Sequence, residues 1–346
     1  MSGSTPSAGS RPLRIGGLES LWYPQAALVC VAAAAITAFF AVGLVGSGSY
    51  ALSTGQIISA LLSPDGGPAS TVIWHMRLPR VVTGLATGAC LGVAGLVFQG
   101  ISRNALGSPE IIGLVSGAAL GAVVGITLLG TTGWGTSLSA IAGCGVAAGL
   151  GRVLVPRGPA AVARMVLIGI GLSALWSSGT SLLLTRTDPN VAVAGQIWLT
   201  GSLVARTWEH ALVPAVALVV LVPLIVASAR ALDLLSTGDD MAAQLGADLP
   251  RLMRLATVVG LGLTGAAIAS TGPISFVALA APQIARSLTD HRVVPVTTSA
   301  LVGATLLVGA EWSIQQLPES AHGPVGLATS VLGGIYLIAM MTRRTQ

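Results

Sequence analysis

Residues 82–101 read VTGLATGACLGVAGLVFQGI, a run of twenty residues without a single charged side chain. An α-helix needs about 20 mainly apolar residues to cross the hydrocarbon core of a bilayer. Further apolar stretches occur along the chain, at residues 24–45, 111–130, 134–154, 164–184, 211–229, 253–270, 273–288, 297–314 and 325–341. We therefore expect an all-α integral membrane protein with about ten transmembrane helices.

The composition agrees with a surface that faces lipid. Only 8% of the 346 residues are charged, whereas a soluble globular domain carries about 25%. The 45 glycines would allow transmembrane helices to approach one another closely. Cys30, Cys90 and Cys144 each lie in an apolar run and lack the spacing of a disulfide framework or metal site. We expect them to be packing residues, and we expect no metal site.

All 17 basic residues are arginines, and the chain has no lysine. A P-loop uses a lysine to reach the β- and γ-phosphates of ATP, so we expect no standard ATP-hydrolysing site and no cofactor in this chain. No basic cluster with interleaved aromatic residues indicates a nucleic-acid partner. No nucleophile elbow or clustered carboxylate pair indicates an enzyme.

The first 20 residues are rich in Ser, Gly, Pro and Arg, which predicts a disordered cytoplasmic tail before a polytopic domain at residues 21–346. A cleaved signal peptide is the competing interpretation of residues 11–48. The apolar stretch at 24–45 exceeds the usual hydrophobic region of a signal peptide, and the chain behind it is itself a membrane protein. We therefore interpret this stretch as the first spanning helix.

Arginine placement predicts the orientation. With the N-terminus in the cytoplasm and ten helices, thirteen arginines fall in cytoplasmic segments and only four, Arg77, Arg80, Arg186 and Arg206, in outer segments. Cytoplasmic loops of membrane proteins carry an excess of basic residues. We expect a multi-pass protein of the cell (inner) membrane with both termini in the cytoplasm.

An internal repeat links two of the apolar stretches. Residues 85–95 and 255–265 are identical at six of eleven positions with a constant offset of 170. On this threading the two copies lie in helices that run in opposite directions, as in transporters built from inverted repeats. Chance similarity between two helices rich in Gly, Ala and Leu is the alternative.

Residues 232–254 read LDLLSTGDDMAAQLGADLPRLMR and lie between two apolar stretches. Ser236 and Asp239 could cap a short helix that places Met241, Ala242 and Leu245 on one face. Such a helix in a cytoplasmic loop would suit docking of a soluble partner. The alternative is a loop helix that packs only against its own bundle.

This loop resembles the coupling segment of FecCD-type permeases, the iron-siderophore and vitamin B12 permease family of ABC importers. Other segments resemble motifs of that family in the same order along the chain: RLPR at 77–80, QGISRNALGSPE at 99–110, GPISFV at 272–277, PQIAR at 282–286, GPVG at 323–326 and LGG at 332–334. The chain departs from the family pattern at Ala105 (usually Pro), at Gln283 (commonly His) and at Gln315 and Gln316, where some relatives carry an external arginine.

The resemblance implies a type II ABC importer permease fold. It implies an assembly of two permeases, a cytoplasmic ATPase dimer that carries ATP and Mg, and an extracytoplasmic siderophore-binding protein. The ATPase would contact a coupling loop at about 230–254, through Gly238, Asp239, Asp240, Ala242, Leu245 and Gly246. Arg77 and Arg80 would pair with glutamates of the binding protein; headgroup anchoring or helix capping is their alternative role.

The resemblance also implies a translocation path and a substrate. The path would involve the helices at 164–184 and 325–341, together with Gly272, Pro273, Ser275, Phe276 and Val277. A ferric siderophore is the expected substrate, with cobalamin or haem as alternatives. Gln315, Gln316 and residues 332–338 look most like the second permease of ferric-catecholate systems, which favours a sibling permease over a homodimer.

Glu110 and Glu311 border or enter apolar runs. A charge at the bilayer centre costs about 2.5–3.5 kcal/mol on insertion scales, so each carboxylate should be paired, protonated or near an interface. They could belong to a proton-coupled path, or they could form hydrogen bonds at the ends of helices. An ion-coupled secondary transporter, the alternative class of function, would need a paired intramembrane acidic site, and the sequence shows no convincing one.

Overall fold

A computed structural model describes residues 11–15, 18–22, 24–48, 50–64, 66–110, 113–154, 161–229, 232, 244, 248–289 and 296–344. Apart from a short hairpin at its start, the regular secondary structure of this part of the chain is helical. The helices are α1 (Pro24–Gly46), α2 (Thr54–Leu62), α3 (Pro68–Val72), α4 (Leu78–Ser102), α5 (Leu114–Leu128), α6 (Trp134–Leu154), α7 (Ala161–Arg186), α8 (Pro189–Leu199), α9 (Trp208–Ala227), α10 (Leu249–Thr271), α11 (Val277–Leu288), α12 (Val296–Gln315) and α13 (Val325–Arg344). A π-helical turn, Ile73–Arg77, joins α3 to α4, and a 3-10 turn, Glu319–Ala321, precedes α13. The prediction of an all-α membrane fold is confirmed.

The hairpin consists of β1 (Arg11–Ile15) and β2 (Leu18–Trp22), which pair antiparallel with Arg11 opposite Trp22. Most of it lies in the stretch 1–20 that the sequence predicts to be a disordered tail, its second strand extends to Trp22, and the sequence did not predict its strands. The division into a tail at 1–20 and a permease domain at 21–346 stays a prediction.

The ten apolar stretches all contain a helix, but the helices differ in their ability to span a bilayer. Six helical segments among the described residues are long and apolar enough to cross a membrane: Ala26–Gly46, Pro68–Ser102, Trp134–Leu154, Arg164–Arg186, Trp208–Ala227 and Leu249–Thr271. In contrast, α5 and α11 have only 15 and 12 residues, or about 22 and 18 Å at 1.5 Å per residue. Both are therefore shorter than a hydrocarbon core of about 30 Å.

The inverted repeat is visible in the arrangement of α4 and α10. Three hydrogen bonds link the start of α4 indirectly to the end of α10, through the starts of α9 and α6: Trp208 Nε1 donates to Trp74 O (2.8 Å), Trp134 Nε1 to Glu209 Oε2 (2.7 Å) and Ser137 Oγ to Ala269 O (2.6 Å). The two helices therefore run in opposite directions. Each is followed by non-helical backbone and then by a short helix, α5 or α11.

Glycines on α4 allow α12 and α11 to pack backbone against backbone. A Cβ atom at Gly88 would lie 2.5 Å from the carbonyl oxygen of Gly303. A Cβ atom at Gly92 would collide with the Ser299 carbonyl, and one at Gly95 with the Ala278 carbonyl. Small residues permit such close approach in membranes, where helices gain no hydrophobic driving force from association. This packing places α11 and the backbone before it at a set position beside α4.

Candidate functional site

The predicted coupling residues Gly238, Asp239, Asp240, Ala242, Leu245 and Gly246 lie outside the described residues. The helices that flank this loop are described: α9 ends at Ala227, and α10 begins at Leu249. Asp248 caps α10 by accepting a hydrogen bond from Arg251 N at 3.1 Å. Since α9 and α10 pack against each other, the loop joins two neighbouring helices at the face opposite Trp208.

The predicted path residues Gly272, Pro273, Ser275, Phe276 and Val277 lie together where α10 ends and α11 begins. Gly272 closes α10 with a positive φ of 77° and donates its N–H to Ile268 O at 2.8 Å. Pro273 has no N–H to continue the helical ladder. Phe276 adopts the left-handed region with a φ of 67°, which is uncommon for a bulky residue and marks a constrained segment.

The end of α8 and the start of α13 enclose this segment. Ser202 N donates to Thr271 O at 2.8 Å, and Gly326 N donates to Gly201 O at 3.0 Å. A Cβ atom at Gly272 would lie 2.5 Å from Trp198 O. The sequence does not predict a role for residues 198–202, because their only signal is a glycine after a short apolar helix. Four non-helical chain segments therefore meet at one glycine-lined junction: 103–110, 200–207, 272–276 and 322–324.

Arg206 fastens the loop that follows α8. Its Nε donates to Ser202 O at 3.0 Å, and burial lowers the pKa of its guanidinium from the ordinary value. The sequence placed Arg206 among the outer arginines. In the structure it stabilises the 200–207 loop, which in turn holds Gly201 against Pro273.

Phe276 packs against a glycine on the surface of α13. A Cβ atom at Gly333 would collide with the side chain of Phe276, and Gly333 itself is buried. The adjacent Gly334 has no atom within 4 Å of the corresponding position. The ring of Phe276 thus connects residues 272–277, the predicted path segment, to α13, the predicted tenth helix.

Glu110 joins the two interrupted segments of the repeat. Its Oε1 accepts a hydrogen bond from Phe276 N at 3.3 Å, and its carboxyl group also interacts with the Ser275 side chain. The carboxylate therefore lies at the N-terminal end of α11, where a negative charge is favourable. A hydrogen bond at a helix end is one of the two roles that the sequence predicts for Glu110. The observed partner is α11 of the other repeat.

Removal of the Glu110 carboxyl group should loosen the path segment. We expect Glu110→Ala to lower the initial uptake rate about fivefold or more, because an unpaired, partly buried N–H at Phe276 costs about 1–3 kcal/mol. Glu110→Gln keeps an acceptor oxygen and should retain most of the uptake. Uptake normalised to inserted protein measures both variants, and equal rates for the two would contradict this role of Glu110.

Two glutamines hold α11 against the end of α4. Gln99 is buried and donates from Nε2 to Leu279 O at 3.1 Å. Gln283 donates from Nε2 to Gln99 Oε1 at 2.7 Å and to Ala105 O at 3.1 Å. Gln283 thus bridges α11 to the segment that contains Ala105. A satisfied buried network of this kind makes the position of α11 more rigid.

Arg77, the first of the two predicted docking residues, is turned toward its own chain. It is 7% exposed, and its guanidinium donates to Val45 O at 2.7 Å and to Tyr50 O at 2.5 Å. These bonds tie the connection between α1 and α2 to the start of α4. A docking role for Arg77 stays a prediction, and its bond to Val45 O near the end of α1 agrees with the alternative of helix capping.

Arg80, the second predicted docking residue, forms an ion pair with Glu311 of α12. Its side chain is 25% exposed, whereas that of Glu311 is 2% exposed. With its amide oriented toward Arg80, Gln315 also accepts from Arg80 Nη1 at 2.7 Å. Glu311 therefore has a partner in the chain, as a carboxylate in an apolar setting requires.

No group of three or more His, Cys, Asp or Glu side chains that could hold a metal ion occurs among the described residues. The junction at Gly272–Val277 is built mainly from backbone and small side chains.

Comparisons with known proteins agree with this architecture. The FecCD transport family matches residues 31–343. The ferric enterobactin transport system permease protein FepG of Escherichia coli is 37% identical over 300 residues, which cover 87% of this chain and 91% of that protein. The Fe(3+) dicitrate transport system permease protein FecD of Escherichia coli is 36% identical over 275 residues, covering 79% and 85%. The cobalamin import system permease protein BtuC of Halobacterium salinarum is 33% identical over 279 residues, covering 80% and 74%.

A solved structure of a metal-chelate type ABC transporter in an inward-facing conformation is similar in three dimensions. It superimposes with a TM-score of 0.79 at 28% sequence identity and covers 92% of this chain and 99% of that chain. The family match and the several apolar helices make this chain a multi-pass membrane protein of the permease type. The chain belongs to the FecCD transport family.

Proposed function

We propose that this chain is the transmembrane permease subunit of an ABC importer that brings a ferric siderophore into the cell. The observation that carries the proposal is the 37% identity to the ferric enterobactin permease over 87% of the chain. In this proposal the chain works beside a sibling permease, a cytoplasmic ATPase dimer that carries ATP and Mg, and an external siderophore-binding protein. Its termini and the 230–254 loop lie in the cytoplasm, and the Arg80 face lies outside.

The position of α10 supports a route for mechanical coupling. This 23-residue helix begins at Leu249, within the proposed ATPase-binding segment at 230–254, and is capped by Gly272 of the predicted path residues. A rigid helix of this length spans about 34 Å. When ATP binding draws the two ATPases together, a tilt of α10 would move Gly272 and Phe276, and with them the contact to α13. Alternating access by rigid-body tilting of helices is an established kind of transition.

The proposed path suits a bulky chelate. Large substrates require a wide passage with few strong contacts, since tight binding within the membrane would slow release. Apolar side chains of α7 and α13, the predicted fifth and tenth helices, are exposed: Leu167, Ile170, Leu175, Leu182, Leu327, Val331, Leu332, Ile335 and Ile338. A sibling permease would cover part of this surface and lipid the rest.

Cobalamin is the second candidate substrate, and one observation favours it: the 33% identity to a cobalamin permease. Haem remains a further alternative within the same class. An ion-coupled secondary transporter receives less support, because Glu110 and Glu311 each have a separate partner and do not form a paired acidic site.

Uptake measurements in a strain that lacks this chain test the proposal. Radiolabelled iron should enter the complemented strain when supplied as a ferric catecholate and fail to enter the deletion strain. Ferric citrate, a ferric hydroxamate and labelled cobalamin serve as comparison substrates. An ABC ATPase should co-purify with the tagged chain from detergent. Iron uptake that is identical with and without the chain would contradict the substrate, and accumulation by the purified chain alone would contradict the ATP-driven class.

A further inference from the structure

Arg80 contacts α12 with one part of its side chain and is exposed at another. Toward the helix bundle its guanidinium contacts Glu311 and Gln315 of α12. One quarter of its side chain is exposed, on the face that also contains the start of α4 and the end of α12. A guanidinium has five N–H donors in a planar fork, so its exposed edge can still meet a second carboxylate.

Contacts other than this ion pair also hold the two helices together. Gly88 and Gly303 already bring the backbones of α4 and α12 into direct contact. Exchange of a buried ion pair for apolar residues is often neutral for stability. Glu311 is only 2% exposed and is paired with Arg80 near the outer end of the bundle. Such a carboxylate can have a role other than holding α4 and α12 together.

The pair also cancels the charge that an acidic partner would encounter. His322 is the other titratable group that interacts electrostatically with Glu311, and the nearby Arg77 is buried and bonded to carbonyl groups. While Glu311 holds Arg80, the pair presents no net positive charge to an approaching protein. Electrostatic steering depends on such net local charge.

We propose that Glu311 is an internal competitor for Arg80 that sets how tightly the external binding protein docks. In the free permease Glu311 holds the guanidinium. On docking, an acidic side chain of the binding protein shares or takes over Arg80. Glu311 is thus a positioning residue that weakens docking, so that the binding protein can leave after each transport cycle. This inference rests on the proposed function and on the expectation, implied by the family resemblance, that the binding protein docks through Arg80.

Docking affinity measured on charge variants tests the inference. The complete transporter is reconstituted in lipid nanodiscs, and the purified substrate-binding protein of the same import system is titrated onto it. Glu311→Gln keeps the size and an acceptor oxygen but removes the charge, so the affinity should rise about fivefold, mainly through faster association at low salt. Gln315→Glu adds a second carboxylate beside Arg80 and should lower the affinity by a similar factor.

The Arg80 variants separate this inference from the proposed function. Arg80→Gln should lower the affinity about tenfold, and Arg80→Gln combined with Glu311→Gln should equal Arg80→Gln alone. If Arg80→Gln leaves the affinity unchanged, docking through Arg80 is wrong. If Arg80→Gln weakens docking but Glu311→Gln does not strengthen it, docking stands and the competitor role is wrong. If Glu311→Gln does not fold, Gln315→Glu still tests the competitor role, because the affinity of this variant should change in the opposite direction.

Discussion

Alanine at Gly95 should reduce uptake more than tenfold and leave little folded permease in the membrane. A Cβ atom at this position would collide with the carbonyl group of Ala278 in α11, and the carbonyl carbon lies at 2.5 Å. Backbone atoms cannot rotate away as a side chain can, so α4 and α11 would have to separate. Overpacking of a close-packed interior typically costs about 1–3 kcal/mol and sometimes more, and separation would also break the contacts of Gln99 and Gln283.

Gly100→Ala provides the matched control in the same helix. No atom lies within 4 Å of the Cβ position at Gly100, so this variant makes the same chemical change in open space. Membrane-inserted yield, the thermal midpoint in detergent and uptake should match those of the unmodified chain. Equal behaviour of Gly95→Ala and Gly100→Ala would show that α4 and α11 do not pack as closely as described.

Alanine at Gly333 should affect transport more than folding. Its Cβ atom would collide with Phe276, a side chain fixed by a left-handed backbone and by the Glu110 hydrogen bond. The clash is local, because Phe276 contacts α13 and does not lie in the interface between α4 and α12. We expect near-normal insertion and an uptake rate lowered about tenfold, since a misplacement of about 1 Å at a functional centre can cost that much or more.

The neighbouring Gly334→Ala is the control for this variant. Its Cβ position is open within 4 Å, so uptake should remain within about twofold of the unmodified chain, in the range of ordinary surface substitutions. ATPase activity of the whole transporter should be recorded alongside uptake. Gly333→Ala should retain ATP hydrolysis while transport falls. Normal transport by this variant would contradict a role of the contact between Phe276 and α13 in transport.

Hydropathy determined a large part of the fold. The ten apolar stretches all contain helices, because a chain in lipid must satisfy its backbone hydrogen bonds within each segment. The repeat at 85–95 and 255–265 correctly indicated two antiparallel long helices, and the ordered motifs indicated the family. Motifs at 272–277 and 323–326 also marked segments that meet in space, since Gly and Pro mark positions where regular helix ends.

Hydropathy could not determine where the apolar stretches are interrupted. Within the stretches at 111–130 and 273–288, α5 begins only at Leu114 and α11 only at Val277, so both helices are short. Hydropathy measures composition and does not show whether each backbone N–H and C=O group forms a helical hydrogen bond. It also missed α8 and the loop at 200–207, although both surround the path segment.

The partners of the charged side chains were decided only by the tertiary structure. The sequence placed Arg77 and Arg80 together as two outward arginines and left Glu110 and Glu311 without partners. In the fold Arg77 bonds to carbonyls at the end of α1, Arg80 pairs with Glu311 on α12, and Glu110 bonds to Phe276 before α11. Local sequence encodes which segments become helices, because the bilayer imposes the same requirement on each of them. Which buried charge meets which partner depends on how those helices pack, and that packing is a property of the whole chain.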